Sequence, residues 1–166
     1  MSSDQGPPAV KTVAIRNYQP APQIGEGGAF GANLYLDGKK AAHVENDGRG
    51  GCNRYHFDTR ANRDAFFAYA EAWATAQDKK TSEPADALIG ELCDEYEFTA
   101  KARALARQGA TTVVLIEKEP RWFAEDHTGD PDYYDKTYLV GLRGDQDPKT
   151  VAEAESAAKW RVISTD

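Results

Sequence analysis

The stretch 46–54 reads NDGRGGCNR and gathers glycines, arginines and side-chain amides into one predicted turn. Gly48, Gly50 and Gly51 can line successive backbone N–H groups around an anion. Arg49 and Arg54 can each grip a phosphate or carboxylate through two parallel hydrogen bonds. Asn46 and Asn53 can orient a polar ligand. These seven residues form the candidate ligand site. The stretch is not a P-loop, because no Gly-Lys-Ser/Thr follows, and no βαβ unit surrounds it as a dinucleotide fingerprint would require. The competing reading is an ordinary β-turn with surface arginines.

A second candidate spans 117–135. It carries Glu117, Glu119, Glu125, Asp126, His127, Asp130, Asp132 and Asp135. Carboxylates with one imidazole can ligate Mg²⁺, Mn²⁺ or Zn²⁺. The spacing is neither HExxH nor an EF-hand, so no metal is assigned and a solvated acidic loop competes with the ligand reading. Trp122, Phe123, Tyr133 and Tyr134 lie in the same loop. Aromatic residues among acids can anchor a protein partner, since Trp and Tyr supply much of the energy at interface hot spots. They can equally tuck the loop onto the core.

Histidine chemistry is the third candidate. His43 and His56 fall on predicted strands that could be neighbours. Either can serve as a general base beside an orienting carboxylate such as Asp47 or Asp58. Cys52 is the matching candidate nucleophile. No serine sits in a GxSxG elbow, which excludes an α/β-hydrolase triad. Cys52 and Cys93 show neither zinc spacing nor a CxxC, so a reduced, cytoplasmic chain is expected. Glu91, Asp94, Glu95 and Glu97 read as a solvated helix face.

The chain has 166 residues, with 27 acids against 20 Lys and Arg, for a net charge of −7. That charge argues against non-specific coating of nucleic acid, which needs a basic excess. An acidic surface can instead face a basic partner. The start of the chain is polar and does not read as a signal peptide. No apolar run approaches the roughly 18 residues of a membrane helix.

These residues need elements to position them. Residues 1–9 read as a disordered lead-in, Val10, Val13 and Ile15 as a short strand, and 19–28 as a loop. In 29–36, Phe30, Ala32, Leu34 and Leu36 alternate with Gly31, Asn33 and Tyr35, the period of a half-buried strand. Asp37-Gly38 is a type I′ hairpin signal, and 39–45 is the returning strand with Ala42 and Val44 on one face. Residues 53–57 follow as a third strand.

A helix starts at Asp58 or Thr59 and carries Phe66, Tyr69, Ala70 and Trp73 inward. A second helix has Pro84 in its first turn, runs to about 108, and stops at Gly109. Residues 111–116 (TTVVLI) read as a buried strand and 136–142 as another. Asp147 caps a helix through 159, and Trp160, Val162 and Ile163 close with a strand. The class is α+β: one domain over 10–166, with an N-terminal antiparallel meander, two central helices, and further strands with one C-terminal helix.

The stretch 30–57, with its LYLDGKK hairpin and NDGRGGCNRYHF segment, resembles short uncharacterised proteins encoded by phages and plasmids. The resemblance covers about a sixth of the chain. It assigns no catalytic residue. It implies a mobile-element accessory role, such as blocking a host defence protein.

The functional expectation is a non-enzymatic binding protein. Its partner is an anionic small molecule such as a nucleotide, or a host protein. No cofactor is called for by any motif. The alternatives are a metal-dependent phosphoester hydrolase using Asp126, His127 and Asp130 or Asp132, and an assembly protein of a phage or plasmid.

Overall fold

A computed structural model describes residues 9–21, 28–118 and 137–165. The expected lead-in (as far as residue 8), the middle of the expected 19–28 loop and the acidic aromatic segment 119–136 lie outside the described residues. The chain is α+β and its contacts group into two compact units, Met1–Tyr96 and Glu97–Asp166. No helix among the described residues is long and apolar enough to cross a membrane.

The first unit is built on an antiparallel sheet of β1 (Val13–Pro20), β2 (Phe30–Leu36), β3 (Lys39–Asn46) and β4 (Arg54–Phe57), in that spatial order. The expected first strand is longer than its sequence suggests. It continues through Gln19 and Pro20, which pair with Gly31 and Phe30 beyond an irregularity between Arg16 and Gln19. Asn17 sits there at φ 54°, a conformation that Asn tolerates better than most residues. Pro20 offers no N–H, and it is tolerated because β1 is an edge strand.

The Asp37-Gly38 hairpin forms as expected, with φ of 47° and 79° at its two central residues. Ala32, Leu34 and Leu36 point into the core and meet Ala42 and Val44 across the ladder. A register shift beside Leu34 places Ala41 inward as well as Ala42.

Thr59 caps α1 (Arg60–Ala76), its side chain accepting from the Asn62 N–H at 3.1 Å. Seven alanines and a 3.6-residue apolar stripe make this helix, and the stripe buries Phe66, Ala70 and Ala74, the first two in one core with the sheet. Tyr55 and Phe57 on β4 pack their rings around Phe66.

The helix α2 (Pro84–Arg107) contributes Leu88, Ile89 and Cys93 to this first core. Its later residues Phe98, Ala102 and Leu105 belong to the second unit. Gly109 ends the helix at φ 98° as expected, with the Ala110 N–H returning to the Leu105 carbonyl.

The second unit holds an antiparallel sheet in the order β6 (Thr137–Leu142), β5 (Thr112–Glu117), β7 (Lys159–Ile163), with the short helix α3 (Pro148–Ala154). Both faces of β5 are covered. Val113 and Leu115 pack with Ala102 and Ile163, whereas Val114 and Ile116 pack with Leu142 and Ala152 of α3. Two-sided burial is why this strand reads as a continuous apolar run rather than an alternating one.

Asp147 caps α3 as expected, accepting from the Thr150 N–H at 2.8 Å. The helix is shorter than expected, ending at Ala154 rather than 159. Ser156 adopts φ 54°, and Lys159 is recruited to pair with Glu117 at the start of β7.

Candidate functional site

The 46–54 loop is closed by its own hydrogen bonds. Asn46 Oδ1 accepts from the Gly48 N–H at 2.8 Å, an Asx turn. Asn46 Nδ2 donates to the Gly51 carbonyl and to Asn53 Oδ1, both at 3.0 Å. Gly48 and Gly50 hold φ of 73° and 80°, which glycine alone adopts without strain. Asn46 therefore acts as the loop's internal brace, not as a group free to orient a ligand.

The two arginines differ. Arg54 is engaged, with Nη2 donating to Asp47 Oδ2 at 2.6 Å and Nη1 lying 3.9 Å from Glu45 Oε1. An anion at this guanidinium would displace a carboxylate already present. Arg49 is exposed, and among the described residues no carboxylate pairs with its guanidinium. Its backbone N–H is taken by Asp47 Oδ1 at 3.1 Å.

The far end of the loop is anchored to the start of α2. The Asn53 N–H donates to Asp86 Oδ2 at 3.0 Å and the Tyr55 hydroxyl to Asp86 Oδ1 at 2.6 Å. Burial and this bond push the Tyr55 phenol well above its ordinary range. Cys52 donates its thiol proton to Glu83 Oε1 at 3.0 Å. The bond to that carboxylate, with its charge, raises the Cys52 pKa, so the thiol is held protonated and is not poised as a nucleophile.

The contact between the loop and α2 borders a cleft of about 370 Å³ lined by Cys52, Tyr55, Phe67, Glu71, Glu83 and Asp86 among others. Sequence reasoning missed this cleft, because Glu83 and Asp86 lie 31 positions from the Cys52 and Tyr55 they meet. Cys52, Glu83 and Asp86 each offer one ligand atom, all within 4.8 Å of one another.

His43 and His56 are neighbours, as the strand reading anticipated. They are direct partners across β3 and β4. Their polar companions are Asn33 and Glu45, rather than Asp47 or Asp58. Trp122, Phe123, Tyr133 and Tyr134 lie outside the described residues, as do Asp126, His127, Asp130 and Asp132. Glu117 is the last residue of β5. Glu91 forms an ion pair with Lys79, whose ammonium lies 4.8 Å over the Trp73 ring, and Glu97 pairs with Lys101.

No family model matches the chain, and no curated protein or solved structure matches it significantly.

Proposed function

We propose that this chain is a binding protein without turnover, which holds an anionic small ligand such as a nucleotide at the 46–54 loop. One observation carries the reading. The loop is braced by Asn46 and anchored through Asn53 to Asp86, while Arg49 stays exposed beside Gly50 and Gly51 with no carboxylate partner among the described residues. A braced loop loses little further entropy on binding, so a single charge-assisted contact at its tip is used efficiently. Arg49 is the primary contact, and Arg54 joins only if Asp47 yields.

The test is a thermal-shift panel of mono-, di- and cyclic nucleotides and inorganic phosphate. A ligand at 100 times its Kd raises stability by about 2.7 kcal/mol, or roughly 5–10 °C for a chain of this size. The shift should vanish in Arg49→Ala with the unliganded melting temperature unchanged. Equal shifts in wild type and Arg49→Ala would remove the site assignment.

A second reading, docking on a basic protein partner, is favoured by the cleft beside the loop. Glu71, Glu83 and Asp86 line it next to Phe67, which is 41 % exposed. Such a partner would lose affinity on Glu71→Gln and would be insensitive to Arg49→Ala. A mobile-element setting for either reading rests on the resemblance over 30–57 alone.

A further inference from the structure

The face of the first sheet opposite its core carries a cluster that the anion reading does not use. Asn33, His43 and His56 form a cross-strand row through β2, β3 and β4. Glu45 stands two residues along β3, on the same face as His43. Its carboxylate meets both rings: Oε2 lies 4.0 Å from His43 Nε2, and Oε1 lies 3.5 Å from His56 Nε2. The two rings stack with centroids 6.4 Å apart.

Asn33 supplies a further and independent piece. Its Oδ1 is 3.4 Å from His43 Nδ1. An amide oxygen only accepts, so Nδ1 is the donor in this contact, in a neutral or a charged ring. Nε2 faces a carboxylate oxygen, as the lone-pair nitrogen of a neutral ring or as a second donor of a charged one. In the neutral ring the two facing acceptors can share a cation. A histidine whose second nitrogen donates to a carbonyl-type oxygen is also the usual form of a metal-ligating imidazole.

We propose that His43, His56 and Glu45 bind one divalent cation of the zinc class, with Asn33 orienting His43. Imidazole nitrogens select this class over Mg²⁺ and Ca²⁺, which prefer oxygen shells. At ordinary zinc bond lengths and a tetrahedral angle, ligand atoms lie about 3.3 Å apart. The 3.5 and 4.0 Å separations run to the two different oxygens of Glu45, and the three groups do not yet bring one ligand atom each within 4.8 Å of the others, so both rings must swing inward to close on one ion. The His43 and His56 side chains are 46 % and 62 % exposed, so solvent rather than packed core surrounds much of each ring.

Arg54 tempers the site. It is the cross-strand partner of Glu45 and lies 3.9 Å from Oε1, but Asp47 holds its other nitrogen at 2.6 Å. The Cys52, Glu83 and Asp86 group is a poorer candidate. Both Asp86 oxygens already accept protein donors, and the thiol proton is committed to Glu83.

The test is calorimetric titration of the untagged chain with Zn²⁺ alone, repeated with Ni²⁺ and Mg²⁺. The expected result is one Zn²⁺ or Ni²⁺ per chain and no response to Mg²⁺. His43→Ala or His56→Ala should each weaken binding by about tenfold or more, and Asn33→Ala by about tenfold. Arg54→Ala should tighten it and Cys52→Ser should leave it unchanged. These positions are solvent-facing, and melting temperatures close to wild type would show that the variants fold. Absence of binding at about 1 mM Zn²⁺, far above the Kd of a three-ligand site, overturns the proposal. So does unchanged binding in the His43→Ala, His56→Ala double variant. Loss on Cys52→Ser with the histidine variants unaffected would move the site to the cleft and equally overturn it.

Discussion

The Tyr55 hydroxyl donates to Asp86 Oδ1 at 2.6 Å, while the other oxygen of the same carboxylate accepts the Asn53 N–H at 3.0 Å. One side chain in the first turn of α2 therefore holds both the last strand of the sheet and the end of the candidate loop. The carboxylate also sits where unsatisfied N–H groups at a helix start favour negative charge.

Removing either partner of that bond should be costly in different measure. Tyr55→Phe takes away one part-buried donor and should destabilise the chain by about 1–2 kcal/mol. Asp86→Ala strands two donors and should cost about 2–3 kcal/mol. The double variant should be milder than the sum by about 1 kcal/mol. Urea denaturation of the four proteins measures this, and strict additivity would mean that the two side chains do not interact.

Asn46 gives a prediction that separates shape from contact. Its side chain makes three hydrogen bonds inside the loop, to Gly48, Gly51 and Asn53. Asn46→Ala should cost about 1–2 kcal/mol and release the Gly48 amide to hydrogen exchange. Arg49→Ala should change stability by less than about 0.5 kcal/mol, as for other exposed positions. If the Gly48 amide exchanges as fast in wild type as in Asn46→Ala, the brace does not exist in solution.

What the sequence made legible follows from the range of the interactions involved. The Asp37-Gly38 turn, the Thr59 and Asp147 caps and the Gly109 stop are fixed by residues within four positions, and each stands where local chemistry puts it. Phe66 declares itself through helical spacing and is fully buried. The partnering of the candidate site is different in kind. Asp47 quenching Arg54 spans seven residues and Asp86 holding Tyr55 spans 31. Such pairings depend on where β4 and α2 lie in space, so the two arginines look equivalent in sequence although Arg54 has carboxylate partners and Arg49 has none among the described residues. The early end of α3 was illegible for a related reason, because Lys159 is claimed by pairing with Glu117 on another element.

Gly141 on β6 is a packing requirement of the second unit. A Cβ built there would lie 3.0 Å from Ala110 Cβ and 3.6 Å from Leu105 Cβ. Both neighbours are close to the end of α2 and cannot retreat without moving its last turn. Gly141→Val should therefore destabilise by about 1–3 kcal/mol through overpacking, and Gly141→Ala by less. Thermal unfolding monitored by circular dichroism would show it, and a Gly141→Val protein melting with wild type would mean that this helix end yields freely.

Asp37 gives the acid side of the stability profile. Its Oδ1 accepts from the Thr12 N–H at 2.8 Å, the Lys11 N–H at 2.9 Å and the Thr12 hydroxyl at 3.3 Å. The backbone bonds from Thr12 and then Lys11 hold its carboxyl below the ordinary value of 3.8. A carboxyl with a depressed folded-state pKa stabilises the fold fully above its unfolded pKa and loses that contribution as pH falls through the folded value. The pH window therefore lies at and below 3.8. Asp147, depressed by its bonds from Thr150, works in the same direction and window. Asp37→Asn keeps the left-handed turn geometry, because Asn tolerates positive φ, and keeps a neutral acceptor for the same donors. Its stability at neutral pH should fall modestly, and the difference from wild type should narrow as the acid window is crossed. Urea midpoints at neutral pH and at about pH 2.5 test this. A gap between the two proteins that stays constant across the window would mean that the Asp37 charge contributes nothing to anchoring the start of β1.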